Sequence, residues 1–522
     1  MRKRILGSPL HVFLLPAFPI VHVFSFNHNR LSVNELFFTL VPLLALVAIV
    51  WLAARFLLGC SSRGDLIIST TCFFTLSFGY YLPRDKGITL LIWLTIFAVL
   101  LMLISLYRRI DQRWIIAANI FAIVIMIPAS LYMGLAPHWW KRHSLRQLAK
   151  TSFPDLPLPA TDEIEKRDIY YFVLDRYARG DQLKELYQFD NAPFLEALKQ
   201  RGFLVLDQSF ANYQRTAHSL ASSLNLDYLD GLSQPVAKNS KDWVPLYELL
   251  SDFRLERFLR KQGYSFLFFG NWWGPMRLNG HADENHNYWA VPELARVVFE
   301  NSVPGAFSYH FGFLDPRKQQ CERIWRQLDS LKEISQRQEL KFVFAHLLVP
   351  HPPFVFSREG HCLEKDIVAT QTRRDAYIAQ VEYINSELAN LIDEIVGNSA
   401  RTPIILIQSD EGPWPERMAG DEISRLGRDV TSVDWLNVPP HELKEKMAIL
   451  NAILLPGDDL EIQRTWSPVN VTRYLLTEAF GVALPILEDR HFVFPDNDHL
   501  YEFVPVTQKL HEGQDSQVPP DK

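Results

Sequence analysis

Apolar residues dominate the first quarter of the chain and then give way to a mixed pattern. From about Leu10 to Leu135 long stretches carry almost no charge, whereas from about Lys166 onward charges, prolines and short apolar runs alternate. A helix crosses a bilayer core with about 20 apolar residues. Residues 36–54 (LFFTLVPLLALVAIVWLAA), 88–107 and 114–135 meet that length with no charge at all. Residues 66–82 are shorter and more polar, but uncharged after Asp65. Residues 10–26 hold two prolines and two histidines behind Arg2, Lys3 and Arg4, and read either as a signal peptide or as an uncleaved helix. No small-x-small cleavage pattern follows and further spans come at once, which favours the helix. Five spans are therefore expected.

Basic residues flanking the spans set the orientation. With a cytoplasmic N-terminus, Arg2–Arg4, Arg55, Arg63, Arg108, Arg109 and Arg113 lie inside, and Arg30, Arg84 and Lys86 outside. An odd number of spans then puts everything after Leu135 outside the cytoplasm. Lys141, Arg142, Arg146 and Lys150 run against that assignment, although long translocated domains tolerate such charge. Trp139 and Trp140 suit an interfacial aromatic belt. Residues 151–160 (TSFPDLPLPA) read as an extended, proline-stiffened linker.

Beyond residue 168 the period changes. Residues 169–174 (IYYFVL), 203–206, 265–269, 341–348 (KFVFAHLL), 403–407 (PIILI) and 448–455 have the short apolar runs of buried strands. Helical spacing occupies residues 194–200, 255–261, 377–396 and 469–480, with Gly202 and Gly263 stopping the first two. Strands alternating with helices predict an α/β domain with a mainly parallel sheet covered on both faces. The expected organisation is a transmembrane helical anchor (1–136), an interfacial segment and linker (137–165), the α/β domain (166–506) and a disordered tail (507–522).

Composition adds exclusions more than assignments. A net charge of −6 offers no basic face for nucleic acid. Four cysteines are too few for a disulfide-built scaffold. Cys321 and Cys362 can pair in an oxidising compartment, but their spacing does not show it.

In parallel sheets ligands bind beyond the carboxyl ends of the strands. Three strand runs end in polar residues there: Asp175, His351 in the loop VPHPP, and Asp410 with Glu411. Three converging carboxylates supply enough oxygen to hold a divalent cation. Thr216 opens a helical stretch, where unsatisfied N–H groups and the helix dipole favour an anion. A hydroxyl placed there beside a metal can lose its proton and attack phosphorus or sulfur.

VLDRYA around Asp175, NYQRTAHSLASSL around Thr216, HLLVPHPPFVF around His351 and LIQSDEGP around Asp410 together resemble the alkaline phosphatase superfamily. That superfamily includes sulfatases, lipoteichoic acid synthases and phosphoethanolamine transferases. The resemblance covers roughly residues 168–490, and the helical anchor matches the envelope transferases. It implies that Asp175 is an acidic metal ligand, that Thr216 is both nucleophile and metal ligand, and that His351 contacts substrate. Asp410 and Glu411 map onto a final motif that normally reads Asp-His-Gly, both side chains binding metal. Glu411 in place of histidine makes the site richer in oxygen, favouring one Mn²⁺ or Mg²⁺ ion over Zn²⁺. The Cys/Ser-x-Pro-x-Arg motif of true sulfatases is absent, which disfavours sulfate-ester hydrolysis.

Each of these residues also has a plainer reading. Thr216 can be an ordinary N-cap, and Asp410 before a glycine an ordinary turn residue. Glu411 can equally mark a loss of metal. His351 between prolines is expected to be exposed. His346 alternates with apolar neighbours and reads as a buried strand histidine. Ser219, after His218, is the fallback nucleophile. Trp272, Trp273, Asn279 and Asp283 either line the pocket or close the core, and Arg417 either pairs with an anionic substrate or is solvated. The expected activity is transfer or hydrolysis of a phosphorus-containing ester on an envelope lipid or glycan, from the cell membrane. The alternative is a non-catalytic descendant that binds glycan or a partner protein. Transport is disfavoured, because the spans hold no clear intramembrane charge pair.

Overall fold

The computed structural model describes residues 8–58, 62–81, 87–107, 110–135, 137–157, 159, 165–288, 291–307, 315–419, 433–457 and 460–512. The chain divides into two compact units, Met1–Arg142 with Val291–Asp315, and His143–Ala290 with Pro316–Lys522. The basic flanks at Arg2–Arg4, Arg84, Lys86, Arg108 and Arg109, and the side chains of Trp139, Trp140, Lys141 and Arg142, lie outside the described residues.

In the first unit helices occupy His11–Phe26, Val33–Leu58, Ser62–Tyr81, Gly87–Leu106 and Gln112–Leu135. Three of them, over Val33–Leu57, Thr89–Leu106 and Gln112–Met133, are long and apolar enough to cross a membrane. They turn large apolar side chains such as Phe38, Ile49, Leu91 and Phe121 outward, where lipid rather than water is the natural neighbour. The other two of the five expected spans fall short of that standard. His11–Phe26 has 16 residues, about 24 Å at 1.5 Å per residue, and its Val12, Ile20 and Phe24 are buried. Ser62–Tyr81 is diluted by serine and threonine.

Residues 291–315, remote in sequence, belong to this unit. Helix Glu293–Glu300 lays Leu294 and Val298 against Ile20, Val23, Phe24 and Leu31. The Leu294 N–H donates to Glu35 Oε2 at 3.2 Å, an anion at a helix N-terminus as the dipole favours. The Gly79 N–H donates to the Asn301 carbonyl at 2.6 Å. The excursion unites segments more than two hundred residues apart.

The second unit is built on a seven-stranded sheet: β1 Ile169–Leu174, β2 Leu204–Val205, β3 Ser265–Phe269, β4 Glu284–His286, β5 Lys341–Leu347, β6 Ile404–Gln408 and β7 Asn451–Leu454. Their order is β2-β7-β6-β1-β5-β3-β4. β1 runs parallel to both β5 and β6, β3 parallel to β5 and β4, and β7 antiparallel to β6 and β2. β1 is central and every residue in it is buried, which is why IYYFVL is apolar throughout instead of alternating. Its odd residues Tyr171 and Val173 share a core with Phe344, Leu406, Leu220 and Leu475. Its even residues Tyr170 and Phe172 share another with Val343, Ile405, Leu328 and Leu388. Helices Thr216–Asn225 and Pro468–Phe480 thus cover one face, and Pro316–Ser335 and Arg373–Asn398 the other.

Two expected loose segments are packed. Phe153 and Leu156, from the expected linker, are buried in the core, and Asp155 pairs with Arg257 at 2.7 Å. The expected tail opens with the short helix Thr507–His511, whose Leu510 is buried; residues 513–522 lie outside the described residues. Apolar side chains at those positions find core contacts that local composition does not reveal. Cys321 and Cys362 form a disulfide across a sequence separation of 41 residues.

Candidate active site

Strand order alone lines up the polar residues. β6, β1 and β5 are neighbours, so their carboxyl ends place Asp410, Asp175 and His346 side by side. In register, Val173 of β1 faces His346 on one side and Gln408 on the other. Asp175, His346 and Asp410 each offer a ligand atom within 4.8 Å of the others, and all three residues are buried. His346 Nε2 lies 2.9 Å from Asp175 Oδ2. The Arg176 N–H donates to Asp410 Oδ1 at 3.1 Å, and the Tyr177 N–H to Ser409 Oγ at 2.8 Å. Arg176 takes φ of 62°, a left-handed conformation that costs a non-glycine residue free energy and clusters at functional sites.

Thr216 is the first residue of helix Thr216–Asn225. The capping position belongs to extended Arg215, whose side chain makes no cap hydrogen bond. The plainer N-cap reading of Thr216 therefore does not hold. Its hydroxyl adjoins the Asp410 carboxyl and favours the charged form there. The first backbone N–H groups of this helix lack intrahelical acceptors and add a partial positive charge beside the carboxylates. Ser219 is buried further along the helix, and His218 is held by a 2.9 Å contact from Nε2 to the Leu500 carbonyl and by the Phe494 ring.

Electrostatics separates the carboxyls. Burial alone would push Asp175 up, but His351, His346 and Arg176 together hold it below the usual carboxylate range. Burial and the neighbouring Asp175 raise Asp410, against smaller opposing effects of His346 and Thr216. Glu411 is pushed up to about 7 by burial, which Lys446 opposes.

A divalent cation fits this donor set. Among the described residues, Asp175 Oδ1 and Asp410 Oδ2 are buried without a hydrogen-bond partner, Arg176 Nε standing 3.9 Å from the former, and a buried polar oxygen left without a hydrogen bond is costly. A cation between them would satisfy both oxygens.

Glu411, expected as a ligand, is engaged elsewhere. Its Oε1 lies 2.6 Å from Lys446 Nζ and 3.6 Å from Arg176 Nε. Lys446 also donates to the Gly412 carbonyl at 3.1 Å, and a Cβ on Gly412 would sit 2.1 Å from the Glu445 carbonyl. Only glycine lets the turn approach helix Pro440–Met447 so closely. The Trp414 ring collects three cations: Lys446 at 4.6 Å, Arg215 at 4.7 Å and Arg176 at 5.8 Å.

Other expectations change too. His346 is the buried strand histidine expected, and it also belongs to the cluster; its place next to the VPHPP loop is the available signal. His351 is only 7% exposed, and its Nδ1 contacts the Pro352 carbonyl. Its ring lies 6.0 Å from that of Trp272. Trp273 meets His346 edge-on at 6.5 Å. Asn279 holds the following loop through Asn285. Asp283 accepts the Phe266 N–H at 2.8 Å, at the amino end of β3 and away from the site. Arg417 is committed to Glu442 at the surface through two 2.5 Å contacts. No local pattern in the sequence announces the convergence of Arg176, Arg215, Lys446 and Trp414.

A family model described as Sulfatase matches residues 179–454, a span that includes Thr216, His346 and Asp410. No curated protein matches. Among solved structures, the C-terminal periplasmic domain of EcEptC from Escherichia coli is similar at 14% identity and a TM-score of 0.43, covering 69% of this chain and 98% of that one. The integral membrane protein lipooligosaccharide phosphoethanolamine transferase A from Neisseria meningitidis is similar at 12% identity and a TM-score of 0.37, covering 91% and 95%. The putative sulfatase yidJ from Bacteroides fragilis is similar at 14% identity and a TM-score of 0.38, covering 66% and 84%.

Proposed function

The chain belongs to the sulfatase family, and from that premise we propose that it is a membrane-anchored transferase or hydrolase of phosphorus-containing esters, with Thr216 as nucleophile. What supports this reading is the Thr216 hydroxyl beside Asp410, on the first residue of a helix, with Asp410 in the Asp175–His346–Asp410 cluster. The sulfatase motif that yields formylglycine is absent, so a threonine hydroxyl is left to attack.

Asp175 and Asp410 would hold one divalent ion. When bound, that ion lowers the pKa of a nearby hydroxyl and neutralises charge on the group being transferred. Thr216 Oγ1 gives up its proton as it forms the bond to phosphorus, and the ester oxygen leaves with the electron pair of the broken P–O bond and takes up a proton, so that none is gained or lost overall. An acceptor hydroxyl, or water, then attacks the phosphothreonine and returns Thr216 to its free form. The helix N-terminus carrying Thr216 favours the negative charge of the phosphoryl oxygens, and His351 contacts the substrate. The donor is a membrane lipid and the acceptor an envelope lipid or glycan. The apolar helices keep the enzyme in the bilayer that holds such a donor. The Cys321–Cys362 disulfide supports an oxidising, extracytoplasmic setting for the globular unit.

Glu411 paired with Lys446 favours a second reading, a non-catalytic descendant that binds glycan or protein. Incubation of the full-length protein in detergent with Mn²⁺ and phospholipid distinguishes them. Intact-mass analysis is expected to find a phosphorus-containing adduct that Thr216→Ala lacks. No adduct, no turnover and no bound metal would favour the binding reading.

A further inference from the structure

Beyond β3 the chain carries Asn271 to the same edge of the sheet, fully buried beside His346. Two backbone contacts fix which way its amide faces. Asn271 Nδ2 lies 3.2 Å from the His346 carbonyl oxygen, and its Oδ1 accepts the Trp273 N–H at 2.9 Å. A carbonyl oxygen requires the amino side and a backbone N–H requires the oxygen side, so neither contact survives a flip. The loop has no slack for one either: a Cβ on Gly270 would meet the Arg277 carbonyl at 2.2 Å, and Gln327 donates to the Gly270 carbonyl at 2.7 Å.

The same Nδ2 lies 3.0 Å from His346 Nδ1. Facing a donor, Nδ1 must present its lone pair, which places the ring proton on Nε2. Nε2 in turn lies 2.9 Å from Asp175 Oδ2. We propose that Asn271 locks His346 in the Nε2–H tautomer, so that His346 orients Asp175 as a hydrogen-bond donor and stays outside the coordination shell of the metal.

This deepens the proposed function and rests on its metal site. A histidine that binds metal through one ring nitrogen ordinarily donates the other N–H to a carbonyl or carboxylate. Here the far nitrogen meets an amide donor, the reverse arrangement. The side chains left to the ion are Asp175, Asp410 and the Thr216 hydroxyl. An all-oxygen set suits Mn²⁺ or Mg²⁺ better than Zn²⁺. His346 is then a positioning residue.

The test uses the full-length protein in detergent, stripped of metal and reloaded with Mn²⁺. It is read by metal analysis and by electron–nuclear double resonance, which detects nitrogen bonded to the ion. Wild type is expected to bind Mn²⁺ with no directly coupled histidine nitrogen. His346→Gln keeps an amide donor toward Asp175 and should hold Mn²⁺ nearly as tightly. His346→Ala removes the donor and should weaken binding about 10–100-fold, as loss of an outer-shell partner does. Asn271→Asp puts an acceptor opposite Nδ1 and frees the Nε2 lone pair; a nitrogen coupling should appear and Zn²⁺ should gain on Mn²⁺. A coupled nitrogen in wild type that vanishes in His346→Gln would overturn the inference and leave the metal site standing. Should Asn271→Asp not fold, the wild-type and His346→Gln spectra still decide. Wild type without bound Mn²⁺ would end the metal reading, and this inference with it.

Discussion

Lys446 Nζ lies 2.6 Å from Glu411 Oε1, and both side chains are buried. Burial pushes each toward its neutral form, Glu411 up and Lys446 down, while each opposes that push in the other. Glu411 Oε1 is thus tied up in an internal ion pair, while Oε2 has no hydrogen-bond partner among the described residues. The acidic turn Asp410-Glu411-Gly412 consequently does two jobs, Asp410 facing Asp175 and Glu411 facing helix Pro440–Met447.

Lys446→Met should strand Glu411, and losing one partner of a buried pair costs about 3–5 kcal/mol. Glu411→Gln/Lys446→Met together should recover most of that loss. Chemical denaturation of the three proteins checks the order. Metal content of the double variant should match wild type; its loss would place Glu411 in the coordination shell after all.

Thr216→Ala should remove turnover by several powers of ten, each worth about 1.4 kcal/mol of barrier. The stability change should stay within about 1 kcal/mol, the size of a lost cap at most. Thr216→Ser keeps the hydroxyl and should retain measurable activity, whereas Asp410→Asn should fall with Thr216→Ala. Wild-type turnover in Thr216→Ala would remove the covalent route.

His491 sits far along the chain, with Nδ1 3.0 Å from the Ala211 carbonyl. Burial, helped by His511 and Arg179 and opposed by that hydrogen bond, lowers it to about 4. Its folded pKa lies below the unfolded value near 6.5, so the unfolded chain binds the extra proton first. Stability should therefore be intact above pH ~6.5 and fall as pH drops toward ~4, by up to about 3 kcal/mol. Denaturation midpoints across that range should flatten in His491→Gln; an unchanged slope would assign the acid sensitivity to other groups.

The Cys321–Cys362 disulfide closes a loop spanning 41 residues. Cys321→Ala/Cys362→Ala should cost roughly 2–4 kcal/mol. A C-terminal alkaline phosphatase fusion should be active and a fluorescent fusion dark. Bright fluorescence without phosphatase activity would place the globular unit in the cytoplasm.

Local pattern alone determined a good part of this protein. The apolar run 36–54 and the buried strands 169–174 and 265–269 follow from which side chains water rejects, a property each residue carries itself. The places of Asp175 and Asp410 after strand ends and of Thr216 at a helix start were legible because these are local events. Choice of partner was not legible. Whether Glu411 or His346 would join the two aspartates depended on Lys446 and Asn271, which only the packing of helix Pro440–Met447 and the loop after β3 bring near. Residues 291–315 join the helical unit for the same kind of reason, since Leu294 and Val298 find their apolar partners more than two hundred residues away. Periodicity reports a side chain's preference for burial, while its contacts are set by strand order and register, and these exist only in the folded chain.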